Sequence, residues 1–138
     1  MAHALYGYDG LCKNIHGHSY RLWVTVIGNV LDDSKSVKNG MVLDFSLLKK
    51  IVKPEIVDKF DHSLVLNANS PHADTDFSQF EKVFFLPYQP TSENLVFDFA
   101  TTIQKKLPEN VQLHKVILSE TANSYAEWCA SDLSLIHI

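Results

Sequence analysis

Cys12, His16 and His18 fall close together in the run Cys-Lys-Asn-Ile-His-Gly-His, and a further histidine, His3, lies upstream. In extended backbone, residues i and i+2 project from one face, so His16 and His18 can address a single ion without a bend in the chain. Gly17 between them leaves room for backbone or ligand to approach. Three neutral imidazoles leave one tetrahedral position of Zn²⁺ open, which is the arrangement of a catalytic rather than a structural zinc. Cys12 admits two readings: a fourth ligand that closes the site, or a free thiol beside a cation that favours the thiolate. A His-x-His pair also suits a merely polar strand face, so the spacing alone is a hypothesis.

Two further groups carry chemistry. Asp61 and His62 are adjacent, which suits a proton relay only if both side chains reach one partner, because neighbours on regular structure diverge. Glu120 follows the apolar run Val116-Ile117-Leu118. It reads either as a rim residue or as an acceptor of two parallel N–H bonds from a guanidine-like heterocycle edge. His72, His114 and His137 have no matching neighbours and read as surface residues.

The elements that must position these groups follow from periodicity. Residues Ser19 to Val30 alternate and are rich in aromatic and β-branched types, the strongest strand in the chain, with His16 and His18 at its entrance. Asn39-Gly40 suits a hairpin turn, after which Met41 to Asp44 is expected to pair back as a strand. Phe45, Leu47, Leu48, Ile51, Val52, Ile56 and Val57 recur at helical spacing, predicting a helix of about four turns that Pro54 should kink. Asn67 to Glu81 is polar and reads as a long loop. Val83 to Tyr88 is a predicted strand. Pro90-Thr91-Ser92-Glu93 offers a hydroxyl cap for a second helix through Leu107, stopped by Pro108. Val111 to Thr121 and Ser124 to Ala130 are predicted as closing strands around Ala122-Asn123. Strands, helix, strand, helix, strands make an α+β chain.

A length of 138 residues with 46% hydrophobic composition fits one domain with a sizeable core. Twelve basic and sixteen acidic residues give a net charge of -4 without a Lys/Arg block, which argues against a nucleic-acid partner. One of only two cysteines sits among the histidines, so a disulfide framework is not expected and a reducing, cytoplasmic setting is. Neither an apolar run of ~18 residues nor a basic-then-apolar leader is present, so no membrane partner is expected.

Taken in order, His3, Cys12-x3-His16-Gly17-His18, Gly40-Met41-Val42-Leu43-Asp44-Phe45, Asp61-His62, Pro90-Thr91-Ser92-Glu93-Asn94 and Glu120-Thr121 resemble the 6-pyruvoyl-tetrahydropterin synthase and 6-carboxytetrahydropterin synthase family. The resemblance runs from Ala2 to Trp128. It implies the tunnelling fold: an antiparallel four-stranded sheet with two helices on one face, oligomerising into a barrel. It also implies a single synthase domain over residues 1–133, with 134–138 a tail outside the fold. The implied assembly is a homo-oligomer, a hexamer built as a dimer of trimers, with active sites at subunit interfaces. By resemblance His3, His16 and His18 hold zinc, Cys12 is the general base, and Asp61 with His62 completes a proton relay. Glu120 would anchor the pterin, with Glu93, Thr91 and Ser92 as a second contacting segment.

The three-residue gap between Cys12 and His16 looks like the bacterial 6-carboxytetrahydropterin synthases of the 7-deazaguanine and queuosine route. The implied reaction takes 7,8-dihydroneopterin triphosphate, expels triphosphate, and cleaves the side chain to release acetaldehyde and leave a 6-carboxyl group. Two alternatives stand beside it: a pyruvoyl-forming synthase with the same apparatus, and a non-catalytic zinc or pterin-binding module closed by Cys12. The chain departs from the family pattern at two places. Only Met1-Ala2 precede His3, so the first edge strand is expected to be short and its histidine to fray unless tied down. The Asn67 to Phe85 connection is longer than in compact members.

Overall fold

The computed structural model describes residues 1–132; the expectations for His137 and for the 134–138 tail lie outside the described residues. In chain order its principal elements are β1 (Ala2–His3), β2 (His16–Gly17), β3 (Arg21–Gly28), α1 (Phe45–Val52), α2 (Asp58–Phe60), β4 (Leu64–Asn67), β5 (Val83–Leu86), α3 (Ser92–Lys106), β6 (Val111–Thr121) and β7 (Ser124–Cys129).

Alternation shapes the sheet with the longer strands, a three-stranded antiparallel array in the order β3-β6-β7. Val111 and Leu113, then Val116 and Leu118, point into the core, and the change of phase is absorbed by a bulge. Thr25 faces Lys115 while Val26 faces Leu113, which leaves His114 unpaired and exposed. Helix α3 covers the inner face. Its hydroxyl cap is Thr91, which accepts from the Asn94 amide at 3.2 Å. From there Leu95, Val96, Phe99, Ala100 and Ile103 recur at three- and four-residue steps and pack with Leu113, Val116, Leu118, Ala126 and Trp128.

The predicted four-turn helix is interrupted. Helix α1 ends at Val52, a wide turn spans Lys53–Val57, and α2 resumes at Asp58. The wide turn accommodates Pro54, which has no N–H to give to a regular i to i−4 ladder. Ile56 and Phe60 reach the core, whereas Phe45 stays 80% exposed.

The sheet of short strands corrects the expected architecture. Strand β1 lies between β2, antiparallel, and β4, parallel, and β4 pairs β5 in parallel, giving a mixed four-stranded sheet in the order β2-β1-β4-β5. The expected single antiparallel four-stranded sheet is therefore not what the chain forms. Parallel neighbours need a crossover of a dozen or more residues, and the long polar connection after Asn67 supplies one. It carries a helical turn at Pro71–Asp74 capped by Ser70. Met41 to Asp44 forms no strand: Leu31 and Met41 share one backbone bond, Gly40 turns at φ +84°, and Asp44 is committed to capping α1.

His3 does not fray. The Ala2 amide donates to Ser63 and the His18 amide to Met1, and the His3 side chain is 1% exposed. His72, expected at the surface, packs its ring edge-on against Tyr6 at 5.7 Å, and its Nδ1 is buried without a partner. No helix among the described residues is long and apolar enough to cross a membrane.

Candidate metal centre

Cross-strand register brings the histidines together. β1 and β2 place His3 opposite His16, and the chain continues from β2 so that His18 joins them. The ligand atoms of His3, His16 and His18 all lie within 4.8 Å of one another, and Cys12 is not part of that set. Ring centroids stand 4.6 Å apart for His3 and His16, 5.3 Å for His3 and His18, and 5.0 Å for His16 and His18.

The backbone decides which nitrogens face inward. His3 Nδ1 lies 2.7 Å from the Pro90 carbonyl and His16 Nδ1 lies 2.7 Å from the Asn14 carbonyl. A carbonyl only accepts, so both Nδ1 atoms carry the proton and both Nε2 atoms present lone pairs. These two Nε2 atoms are 3.1 Å apart. Opposed lone pairs at that separation make no hydrogen bond; they call for a cation between them. Two imidazole nitrogens on one tetrahedral Zn²⁺ would be ~3.3 Å apart, given bonds of about 2.0–2.1 Å. Carbonyl bonds to the remote ring nitrogen also fix tautomer and orientation, as partners of metal-bound histidines do. Burial, the largest influence, lowers the pKa of His3 below that of an ordinary histidine. The Pro90 bond and Glu120 oppose the shift, and His16 and His18 add to it. That direction favours the neutral ring, the form a metal ligand needs.

Glu120 is not the rim residue that its position at a strand end suggests. Its Oε1 lies 3.5 Å from His3 Nε2 and 3.8 Å from His18 Nε2, with the side chain 25% exposed. Tyr20 donates to the same oxygen at 3.3 Å. Burial first, and then the Glu120 charge, push the Tyr20 phenol's titration far above its ordinary value. The structure thus adds three groups that residue-type reasoning missed: the Pro90 and Asn14 carbonyls and the Tyr20 hydroxyl. Tyr20 had a signal, since it continues the same-face series His16, His18, Tyr20.

Asp61 and His62 meet because the chain leaves regular structure there. His62 has φ +58°, and its Nδ1 lies 3.0 Å from Asp61 Oδ1. Lys82 holds the turn by donating to the Asp58 and Asp61 carbonyls. The His62 contact, more than any other group, draws the Asp61 carboxyl below its ordinary range. Both residues are exposed, and together with His18, Tyr20, Arg21 and Phe60 they line a cavity of about 620 Å³. His18 belongs both to this wall and to the histidine cluster.

Thr91, Ser92 and Glu93 begin α3 directly after Pro90. Thr91 is occupied as the cap, the Ser92 hydroxyl is buried without a partner, and Glu93 is exposed in the first turn. Cys12 is a free, half-buried thiol in a short helical turn, Leu11–Lys13, and its carbonyl accepts from the Leu5 amide at 2.8 Å.

Comparison with known proteins gives a consistent match. Residues 1–130 match the family described as 6-pyruvoyl tetrahydropterin synthase. A 6-carboxy-5,6,7,8-tetrahydropterin synthase of Haemophilus influenzae is 33% identical over 132 residues, covering 93% of this chain and 91% of its own. One of Aquifex aeolicus is 35% identical over 127 residues, covering 85% and 75%. Among solved structures, the 6-pyruvoyl tetrahydropterin synthase of Caenorhabditis elegans superposes with a TM-score of 0.64 at 27% identity, covering 94% of this chain and 87% of that one.

Proposed function

The chain belongs to the 6-pyruvoyl tetrahydropterin synthase family, and from that premise we propose that it is a zinc-dependent 6-carboxy-5,6,7,8-tetrahydropterin synthase. It converts 7,8-dihydroneopterin triphosphate to the 6-carboxy product, releasing triphosphate and acetaldehyde, in the cytoplasm and in the 7-deazaguanine route. The observation that carries the reading is the pair of inward-facing lone pairs on His3 and His16, with His18 and Glu120 beside them. The Haemophilus influenzae and Aquifex aeolicus relatives support the carboxy branch.

When bound, zinc supplies Lewis acidity toward the hydroxyl oxygens of the substrate side chain. His3, His16 and His18 would hold it, three ligands that would leave a fourth position for substrate. Cys12, outside the ligand set, removes a proton from the side-chain carbon. His62 holds its Nδ1–H against Asp61, whose carboxylate supports the imidazolium, and in that form the second proton, on Nε2, is the one returned at a second carbon. Glu120 accepts from the guanidine-like edge of the pterin, and the Thr91-Ser92-Glu93 segment supplies further contacts. The subunits form a homo-oligomer, a hexamer made as a dimer of trimers with active sites at interfaces. Support for assembly comes from Trp23, Ile27 and Tyr125, which stay 49%, 47% and 65% exposed on β3 and β7.

The test is zinc content together with product analysis on dihydroneopterin triphosphate. One zinc per chain and release of acetaldehyde with a 6-carboxy product support the proposal. A pyruvoyl product without acetaldehyde moves the chain to the other branch. Zinc without any turnover leaves a binding module.

A further inference from the structure

The hydroxyl of Tyr20 sits where a residue of no assigned role would not be expected, 3.4 Å from both ring nitrogens of His3 and 3.3 Å from Glu120 Oε1. A point equidistant from the two nitrogens of one imidazole lies along neither lone pair. The His3 Nδ1 proton is already given to Pro90, and its Nε2 lone pair faces His16. The acceptor left for the phenol is Glu120.

Glu120 itself stands in a position that needs explaining. Its Oε1 is within 3.5 Å and 3.8 Å of the Nε2 atoms of two of the three histidines. Carboxylate oxygens bind Zn²⁺ at about 2.0–2.2 Å, and an oxygen this close to two of the ligand nitrogens would be within reach of an ion they held. Were it to bind, the cluster would become a closed four-ligand site. The same carboxylate would also be withdrawn from substrate.

Resting on the zinc reading above, we propose that Tyr20 is a positioning residue: its hydroxyl holds the Glu120 carboxylate off the three-histidine cluster, so that the fourth coordination position stays open and the carboxylate stays turned toward substrate. The phenol and the metal compete for one oxygen, Oε1. The aromatic ring has a separate task, packing edge-on against His3 and His18 with centroids 6.0 and 5.6 Å away.

Tyr20→Phe keeps that ring and deletes only the hydroxyl. Zinc affinity is measured without substrate, by competition with a chromophoric chelator, in the unaltered chain, Tyr20→Phe, Glu120→Gln and the double variant. The expected result is tighter zinc binding in Tyr20→Phe by about ten-fold, opposite in sign to the ~10–100-fold losses that follow removal of partners supporting a ligand, because here the partner removed restrains a competing ligand. The gain should vanish in the double variant, which should bind like Glu120→Gln. A packing defect would weaken binding and would do so in either background, so gain and background dependence together separate positioning from structure. Unchanged or weaker binding in Tyr20→Phe overturns the inference, as does a gain that persists in the Glu120→Gln background. Failure of the unaltered chain to bind zinc overturns the metal reading and this inference together; zinc binding indifferent to Tyr20 overturns this inference alone.

Discussion

Removing one inward-facing imidazole should uncouple the fold's stability from zinc. His16 is suited to this, because it is only half-buried and its substitution disturbs little packing. A ligand that binds only the folded state stabilises it by RT ln(1 + [L]/Kd), about 2.7 kcal/mol at a free zinc concentration 100 times Kd. Unfolding entropy near ~2.1 cal/mol/K per residue, over 138 residues, gives ~0.29 kcal/mol/K. The expected rise in Tm on adding zinc to the chelated protein is therefore about 9 °C. His16→Ala should lose the 3.1 Å opposition of lone pairs and with it most of that rise, whereas His114→Ala, at the exposed bulge, should keep it. Scanning calorimetry with and without chelator reads both. An undiminished zinc-dependent rise in His16→Ala would refute the reasoning, because the ion would then be held somewhere else.

Cys12→Ala should retain the zinc-dependent rise in Tm and lose product formation by a factor of about 10²–10⁴, the usual worth of general acid–base catalysis; loss of zinc in the same variant would instead make the thiol a ligand. Thr91→Ala should cost about 1 kcal/mol through the Asn94 amide left uncapped, visible as a lower urea midpoint with an unchanged m-value. Acid should weaken the metal-free protein in a defined direction. Lys38 first, and then the Ser46 amide and hydroxyl, hold Asp44 below its ordinary value of 3.8, as His62 does for Asp61. For carboxyls depressed in the folded state, the stabilisation is present above pH 3.8 and lost as pH falls through the folded values. Tm measured against pH should therefore drop on the acid side, and less steeply in Asp44→Asn; identical acid limbs would count against the cap.

What the sequence disclosed and what it withheld divide along physical lines. His16 and His18 were legible because a two-residue period fixes the face of a side chain, and α3 was legible because Thr91 and the spacing from Leu95 to Ile103 are local signals. The Pro90 and Asn14 carbonyls were not, since every residue has a carbonyl and no residue type announces which one will accept. Tyr20 was hidden by its ambiguity: an aromatic residue in a strand reads first as core. The meeting of Asp61 with His62 depends on a left-handed backbone at His62, which its residue type scarcely signals. The parallel pairing of β4 with β5 was concealed in the polar stretch between them, whose length permits the crossover without specifying it.

Strand β1 spans two residues, yet it is clasped by partners from distant parts of the chain: Ala2 and His3 stand opposite Leu64 and Val65, while the His3 ring leans on Pro90. Closing loops of that length costs entropy that only later contacts repay. Local collapse around the extended His-Gly-His segment therefore does not by itself complete the cluster. The three imidazoles converge only when the segments holding Leu64 and Pro90 are also in place, so a cation bound there would report the closure of the whole sheet rather than of one local turn.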